Sequence, residues 1–154
     1  MPAFSMTDSF NIRVKGTSES RSRTRLSARK HEFLIDEPEA RLGTDQGPTP
    51  LETMLASFLA CTNVIAHMCA DDLGIEIGRL DLSLAGEFDT RGSFGKADVT
   101  VPFPTIELNV GIETTANEKQ IEQMKSSLAR RCPVSVILRQ AGTTIIENWS
   151  VTRP

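Results

Sequence analysis

Three cysteines, two histidines and one acid at the head of an apolar run carry most of the chemistry available to this chain. Cys132 directly precedes Pro133, and the apolar run after it reads as a helix. That places Cys132 at or beside a helix N-cap, where backbone N–H groups and the helix dipole favour a thiolate. Arg130 and Arg131 add positive charge next to it. A nucleophilic or easily oxidised cysteine needs such a setting, and a small residue filling a helix start has the same local sequence. Cys61 lies mid-helix among Leu59, Ala60 and Val64 and by itself reads as a packed core thiol. Cys69, eight residues on and about 80° round the same helix, reads the same way. His67 and Cys69 are two apart and face different sides of a helix, so neither common zinc spacing is met and no metal site is expected. A Ser-His-Asp arrangement using His31 or His67 has no G-x-S-x-G motif to support it. Glu52 suits the positive end of the helix that begins at Pro50. It stands nine residues before Cys61, about 180° away on an ideal helix, so a direct contact within the helix is not expected.

The elements that hold these residues follow from periodicity. Phe10, Ile12 and Val14 alternate with polar residues, which predicts a half-buried strand over Phe10–Gly16, followed by a polar break at Thr17–Ser20. Arg23–Lys30 and His31–Ile35 read as further strands, closed by Asp36-Glu37-Pro38. Arg41–Pro50 is a loop. Thr49 is a plausible N-cap and Pro50 suits a first turn, so a helix is predicted from Pro50 to about Leu73, stopped by Gly74. It is apolar nearly all round, which requires cover on both sides. Leu80, Leu82, Leu84 and Phe88 mark one strand, and Ile106, Leu108, Val110 and Ile112 another, with a loop-like Thr90–Pro104 between them. Asn117 begins a helix reaching Cys132, Pro133 begins a short one to Gln140, and Ile145, Glu147, Trp149 and Val151 mark a last strand. Strands joined by short segments argue for antiparallel pairing, hence an α+β fold in a single domain over residues 1–154.

Composition narrows the function. The net charge is −3, aromatics are 5% and tyrosine is absent, so a nucleic-acid partner is not expected. Leu51–Ala70 has 14 apolar residues in 20 but includes Glu52, Thr62, Asn63 and His67, and reads as a buried helix and not a membrane span. Met1–Phe10 lacks a basic stretch followed by an apolar run, so the expected compartment is the cytoplasm. Three scattered cysteines there do not suggest a disulfide framework.

Two segments together carry a resemblance. Gly47-Pro48-Thr49-Pro50-Leu51-Glu52-Thr53-Met54-Leu55-Ala56-Ser57-Phe58-Leu59-Ala60-Cys61-Thr62 and Arg131-Cys132-Pro133-Val134-Ser135 resemble the two cysteine motifs of the OsmC/Ohr family, the osmotically inducible and organic hydroperoxide resistance proteins. Phe33–Pro38 resembles the strand before the loop in one branch. The resemblance implies antiparallel sheets packed around a long buried helix, in an intertwined homodimer. It implies a cysteine-based peroxidase of the oxidative stress response that needs no cofactor. Cys61 would attack an organic hydroperoxide and become a sulfenic acid, Cys132 would close a disulfide with it, and a lipoyl protein, thioredoxin or small thiol would restore both. The residues read alone make Cys132 the more acidic thiol, whereas the resemblance gives the attack to Cys61. The chain departs from the hydroperoxide resistance branch in carrying Leu51 where that branch has its glutamate. Glu52 matches the less characterised OsmC-like branch instead. No glycine-rich hairpin presents the usual arginine, leaving Arg29, Arg25 or Arg13 to support the site with Glu52. Ser135 stands where some members have histidine. A non-enzymatic module of the same fold, binding an apolar small molecule between its helices, is the alternative, and a structural metal protein a more distant one.

Overall fold

Alternating apolar residues become strand, and the longer apolar runs become helix, in a computed structural model that describes residues 8–154. The chain divides into two compact units, Met1–Met54 and Leu55–Pro154.

In the first unit, β1 (Lys15–Ser18), β2 (Thr24–Ala28) and β3 (His31–Ile35) form an antiparallel meander in that order. The predicted strand over Phe10–Gly16 is corrected, because pairing starts only at Lys15 and runs through Thr17 and Ser18, where a break was expected. Phe10, Ile12 and Val14 are 81, 78 and 55% exposed, so their alternation has no core beneath it. After β3 the buried Asp36 organises the loop. Its carboxylate accepts from the Glu37 amide (2.8 Å), the Thr44 amide (3.1 Å), the Thr44 hydroxyl (2.5 Å) and the Gln46 amide (3.3 Å). These bonds favour the carboxylate and hold its pKa well below the usual carboxylate range, the Thr44 hydroxyl contributing most. Gly47 closes the loop where a Cβ would sit 2.3 Å from the Leu34 carbonyl oxygen, so no larger residue fits without moving backbone.

Helix α1 (Pro50–Leu73) starts at a capping box: the Glu52 amide donates to Thr49 Oγ1 (3.2 Å) and the Thr49 amide donates to the Glu52 carboxylate (2.7 Å). It ends where Gly74 takes φ 63°, with the Ile75 amide bonded back to the Ala70 carbonyl at 2.9 Å. Both ends lie where the local sequence put them.

The second unit holds β4 (Arg79–Gly86), the single turn α2 (Thr90–Ser93), β5 (Thr105–Glu113), α3 (Glu118–Arg131), α4 (Pro133–Gln140) and β6 (Thr144–Thr152). α2, capped by Asp89, falls in the stretch expected to be loop. β4 pairs antiparallel with β5, but β5 pairs parallel with β6. The expectation of purely antiparallel sheets is therefore corrected. A parallel neighbour needs a crossover of a dozen or more residues, and α3 with α4 supplies it. α3 opens with a second capping box, between Asn117 and Gln120.

The core of this unit joins Ala66, Cys69 and Ala70 of α1 to Ile112 of β5 and to Ile121, Met124 and Leu128 of α3. Each large apolar side chain shut in here contributes about 1.5–3 kcal/mol. α1 buries one stripe, Phe58, Thr62, Ala66, Cys69 and Ala70. Its reverse face, with Ala56, Ala60, Val64 and Met68, is exposed in this chain. Within this chain α3 and the sheet lie along one side of α1 only, so the cover expected on its other side does not come from these elements. By length and a mean hydropathy of 1.5, α1 could also cross a membrane; its buried stripe is instead part of the protein core.

Candidate active site

Cys132 is the single residue between α3 and α4. Its amide caps α3 by donating to the Leu128 carbonyl (3.0 Å), and its carbonyl accepts from the Val136 amide (3.0 Å) to begin α4. Pro133 follows because the first position of a helix needs no amide proton. The Cys132 side chain is 1% exposed. Its sulfur meets the thiol of Cys61, which is only partly buried on α1. Two cysteines far apart in sequence are thus neighbours, and both are free thiols.

Burial pushes the Cys132 thiol up to about 11, the peptide N–H groups of Ser135 and Val134 pull against it, and the adjacent Cys61 sulfur pushes it further up. The expectation of an acidic Cys132 is therefore corrected: the helix terminus is present, but desolvation outweighs it. The expected arginine support is also absent. Arg130 donates to Ser126 Oγ (2.9 Å), and Arg131 reaches Asp72 (2.5 Å) and the Cys69 sulfur (3.6 Å). Cys69 is a core residue, and burial raises its thiol while Arg131 opposes that rise.

Of the surroundings of Cys132, the sequence pointed to Ser135 but not to Thr62. Thr62, next to Cys61, is fully buried, and its hydroxyl makes no hydrogen bond. It shares with Phe58, Leu108, Leu128 and Cys132 a narrow void with no room for a water molecule. Ser135 is buried and accepts from Arg139 Nε (3.3 Å). Arg139 also pairs with Glu147 (2.9 Å), which accepts from the Trp149 indole (3.1 Å). This chain of bonds fastens α4 to β6 and so fixes the peptide groups facing Cys132. A threonine on the same helical stripe as Phe58 and Ala66 was the available signal.

The two supporting residues expected from the resemblance have local roles in the first unit. The Glu52 carboxylate is held by the capping box, where the Thr49 amide and hydroxyl lower its pKa. Arg29 is exposed at the β2–β3 turn, with φ 57°. Arg25 pairs with Glu19. Among the described residues no three His, Cys, Asp or Glu side chains converge to hold a metal ion.

An OsmC-like protein from Mycoplasma pneumoniae superposes with a TM-score of 0.75 at 20% identity, covering 96% of this chain and 99% of that one. A hypothetical protein from Aquifex aeolicus gives 0.76 at 17%, with 95 and 99% covered. An organic hydroperoxide resistance protein from Elizabethkingia anophelis gives 0.67 at 16%, with 97 and 100% covered. At these identities the likeness is one of fold. No curated protein matches the sequence. The family described as OsmC-like protein matches residues 43–148, a span that takes in both cysteine segments, and the chain belongs to that family.

Proposed function

We propose that this protein reduces organic hydroperoxides by a two-cysteine cycle. The observation that carries the reading is the meeting of one partly exposed thiol, Cys61, with one enclosed thiol, Cys132. Cys61 as thiolate attacks the terminal peroxide oxygen. The O–O bond breaks, the alkoxide takes a proton and leaves as alcohol, and the sulfur is left as a sulfenic acid. The Cys132 sulfur then attacks that sulfur, its proton leaves with the hydroxyl as water, and a disulfide forms. A dithiol such as a lipoyl protein or thioredoxin, or two small thiols, returns both cysteines to thiols and is itself oxidised.

The raised Cys132 thiol supports this division of labour. A thiol that stays protonated at neutral pH is a poor peroxide nucleophile, which leaves the first attack to Cys61. The name of the Elizabethkingia anophelis relative supports hydroperoxides as the substrate class. The reading includes one OsmC-like domain over residues 1–154, a cytoplasmic location where reductants are at hand, and a homodimer in which a second copy covers the exposed Ala56, Ala60, Val64 and Met68 face.

One equivalent of an organic hydroperoxide added to reduced protein, followed by intact mass and peptide mapping, tests it. Loss of two hydrogens mapped to Cys61 and Cys132 is expected, with Cys69 unmodified. Thiols left intact would overturn the peroxidase reading in favour of a module that binds an apolar small molecule.

A further inference from the structure

Two buried side-chain oxygens among the described residues make no hydrogen bond, Glu37 Oε2 and Thr62 Oγ1. Glu37 Oε2 lies 2.7 Å from Arg41 Nε in an ion pair, which leaves the Thr62 hydroxyl. It is fully buried, it lines the dry void beside Cys132, and no water can enter to satisfy it. An orphan hydroxyl in such a place lowers stability, so its retention calls for a moment in which it is used.

Exposure identifies that moment. Cys61 is partly exposed and Cys132 is 1% exposed, so a reductant approaching a disulfide between them meets Cys61. A reductant can therefore reach only Cys61, and the bond that breaks sends its electron pair to Cys132. We infer that the Thr62 hydroxyl is a hydrogen-bond donor held for the Cys132 sulfur as it leaves the disulfide as a thiolate. The inference rests on the two-cysteine cycle proposed above. In the resting dithiol Cys132 is neutral and needs no such donor, which accounts for the unpartnered hydroxyl. Threonine in a helix has two accessible χ1 rotamers, so a single rotation can turn the hydroxyl across the void.

One thiolate of a dithiol attacks the Cys61 sulfur and forms a mixed disulfide. The Cys132 thiolate departs and receives the hydrogen bonds of Thr62 and of the Ser135 and Val134 amides; the proton it then gains is balanced by the one the second thiol of the reductant gives up to solvent. That second thiolate closes the oxidised reductant and releases Cys61. A leaving thiol departs faster the more its thiolate is stabilised.

Stopped-flow reduction of the preformed disulfide by dithiothreitol tests this in the parent, Thr62→Val and Thr62→Ser proteins. A hydrogen bond to a charged group predicts that Thr62→Val slows reduction by about tenfold or more, while Thr62→Ser keeps the parent rate. Thiolate absorbance in a Cys61→Ser background supplies a readout that needs no disulfide. There, adding Thr62→Val should move the Cys132 titration to higher pH. Parent-like reduction together with an unmoved titration would overturn the inference. If the parent forms no disulfide with hydroperoxide, the proposed cycle fails by itself. The titration then decides Thr62 alone: a shift keeps the donor, and no shift removes it.

Discussion

Replacing Thr62 by valine should make the protein more stable. The two side chains have nearly the same shape, so the exchange swaps a hydroxyl for a methyl without reshaping the core. Thr62 is 0% exposed, its hydroxyl has no partner, and the void beside it excludes water. Removing an unsatisfied buried hydroxyl recovers about 1–3 kcal/mol. Valine and threonine differ little in helix propensity, so that term is small. In a chain of this length each kcal/mol moves the melting temperature by about 2–4 °C, which predicts a rise of roughly 2–12 °C. Thr62→Ser keeps the hydroxyl and loses a methyl, and should cost about 1 kcal/mol. The expected order is therefore Val above Thr above Ser, read from urea unfolding midpoints under reducing conditions at one fixed protein concentration. A valine variant at least 1 kcal/mol less stable than the parent would refute the reasoning, because it would mean that the hydroxyl has a partner in the folded thiol form. With the expected order, the valine protein is stabilised and slow to be re-reduced, a trade of activity for stability of the kind buried polar groups impose.

Other outcomes follow from the same structure. Burial raises the Cys132 thiol above its unfolded value, so its contribution to stability is complete below about pH 8.5 and is lost as pH rises through about 11; Cys132→Ala should flatten this alkaline limb in unfolding curves taken across that range, leaving the smaller share of Cys69. Asp36 has the opposite sign. Its carboxyl is held low by the Thr44, Glu37 and Gln46 bonds, so its stabilisation is present above about pH 4 and is lost on acidification. Asp36→Asn should lower the neutral-pH urea midpoint and weaken the acid dependence, and an unchanged acid limb would count against it. If a second copy covers the exposed face of α1, sedimentation at micromolar concentration should give a dimer mass, and Val64→Glu should shift it toward monomer; a monomeric parent would refute that cover.

Much of this molecule is legible along the chain because the signals act over a few residues. Thr49, Pro50, Glu52 and Gly74 set the ends of α1 through caps and a left-handed turn, and the structure ends the helix at those residues. Period-two leucines and isoleucines become β4 and β5. The Cys132-Pro133 pair breaks one helix and begins the next. The two cysteine motifs, quoted in order, were enough to indicate the family to which the chain belongs.

The rest depends on what lies across from a residue, which no local pattern records. Phe10, Ile12 and Val14 alternate like a strand, yet nothing buries them and they do not pair. β6 follows β5 through two helices and returns parallel to it. Arg131 stands beside Cys132 in sequence but turns to Cys69 and Asp72, because on α3 it faces the end of α1. Cys132 has the helix terminus its sequence promised, and its thiol is still the less acidic for being buried. A cap acts through two or three peptide groups, whereas desolvation sums over every element that closes around the sulfur. Local sequence therefore determined the elements and the chemistry available to them. The tertiary structure decided which side chains meet and which of them water can reach, since both are set by contacts between residues distant in sequence.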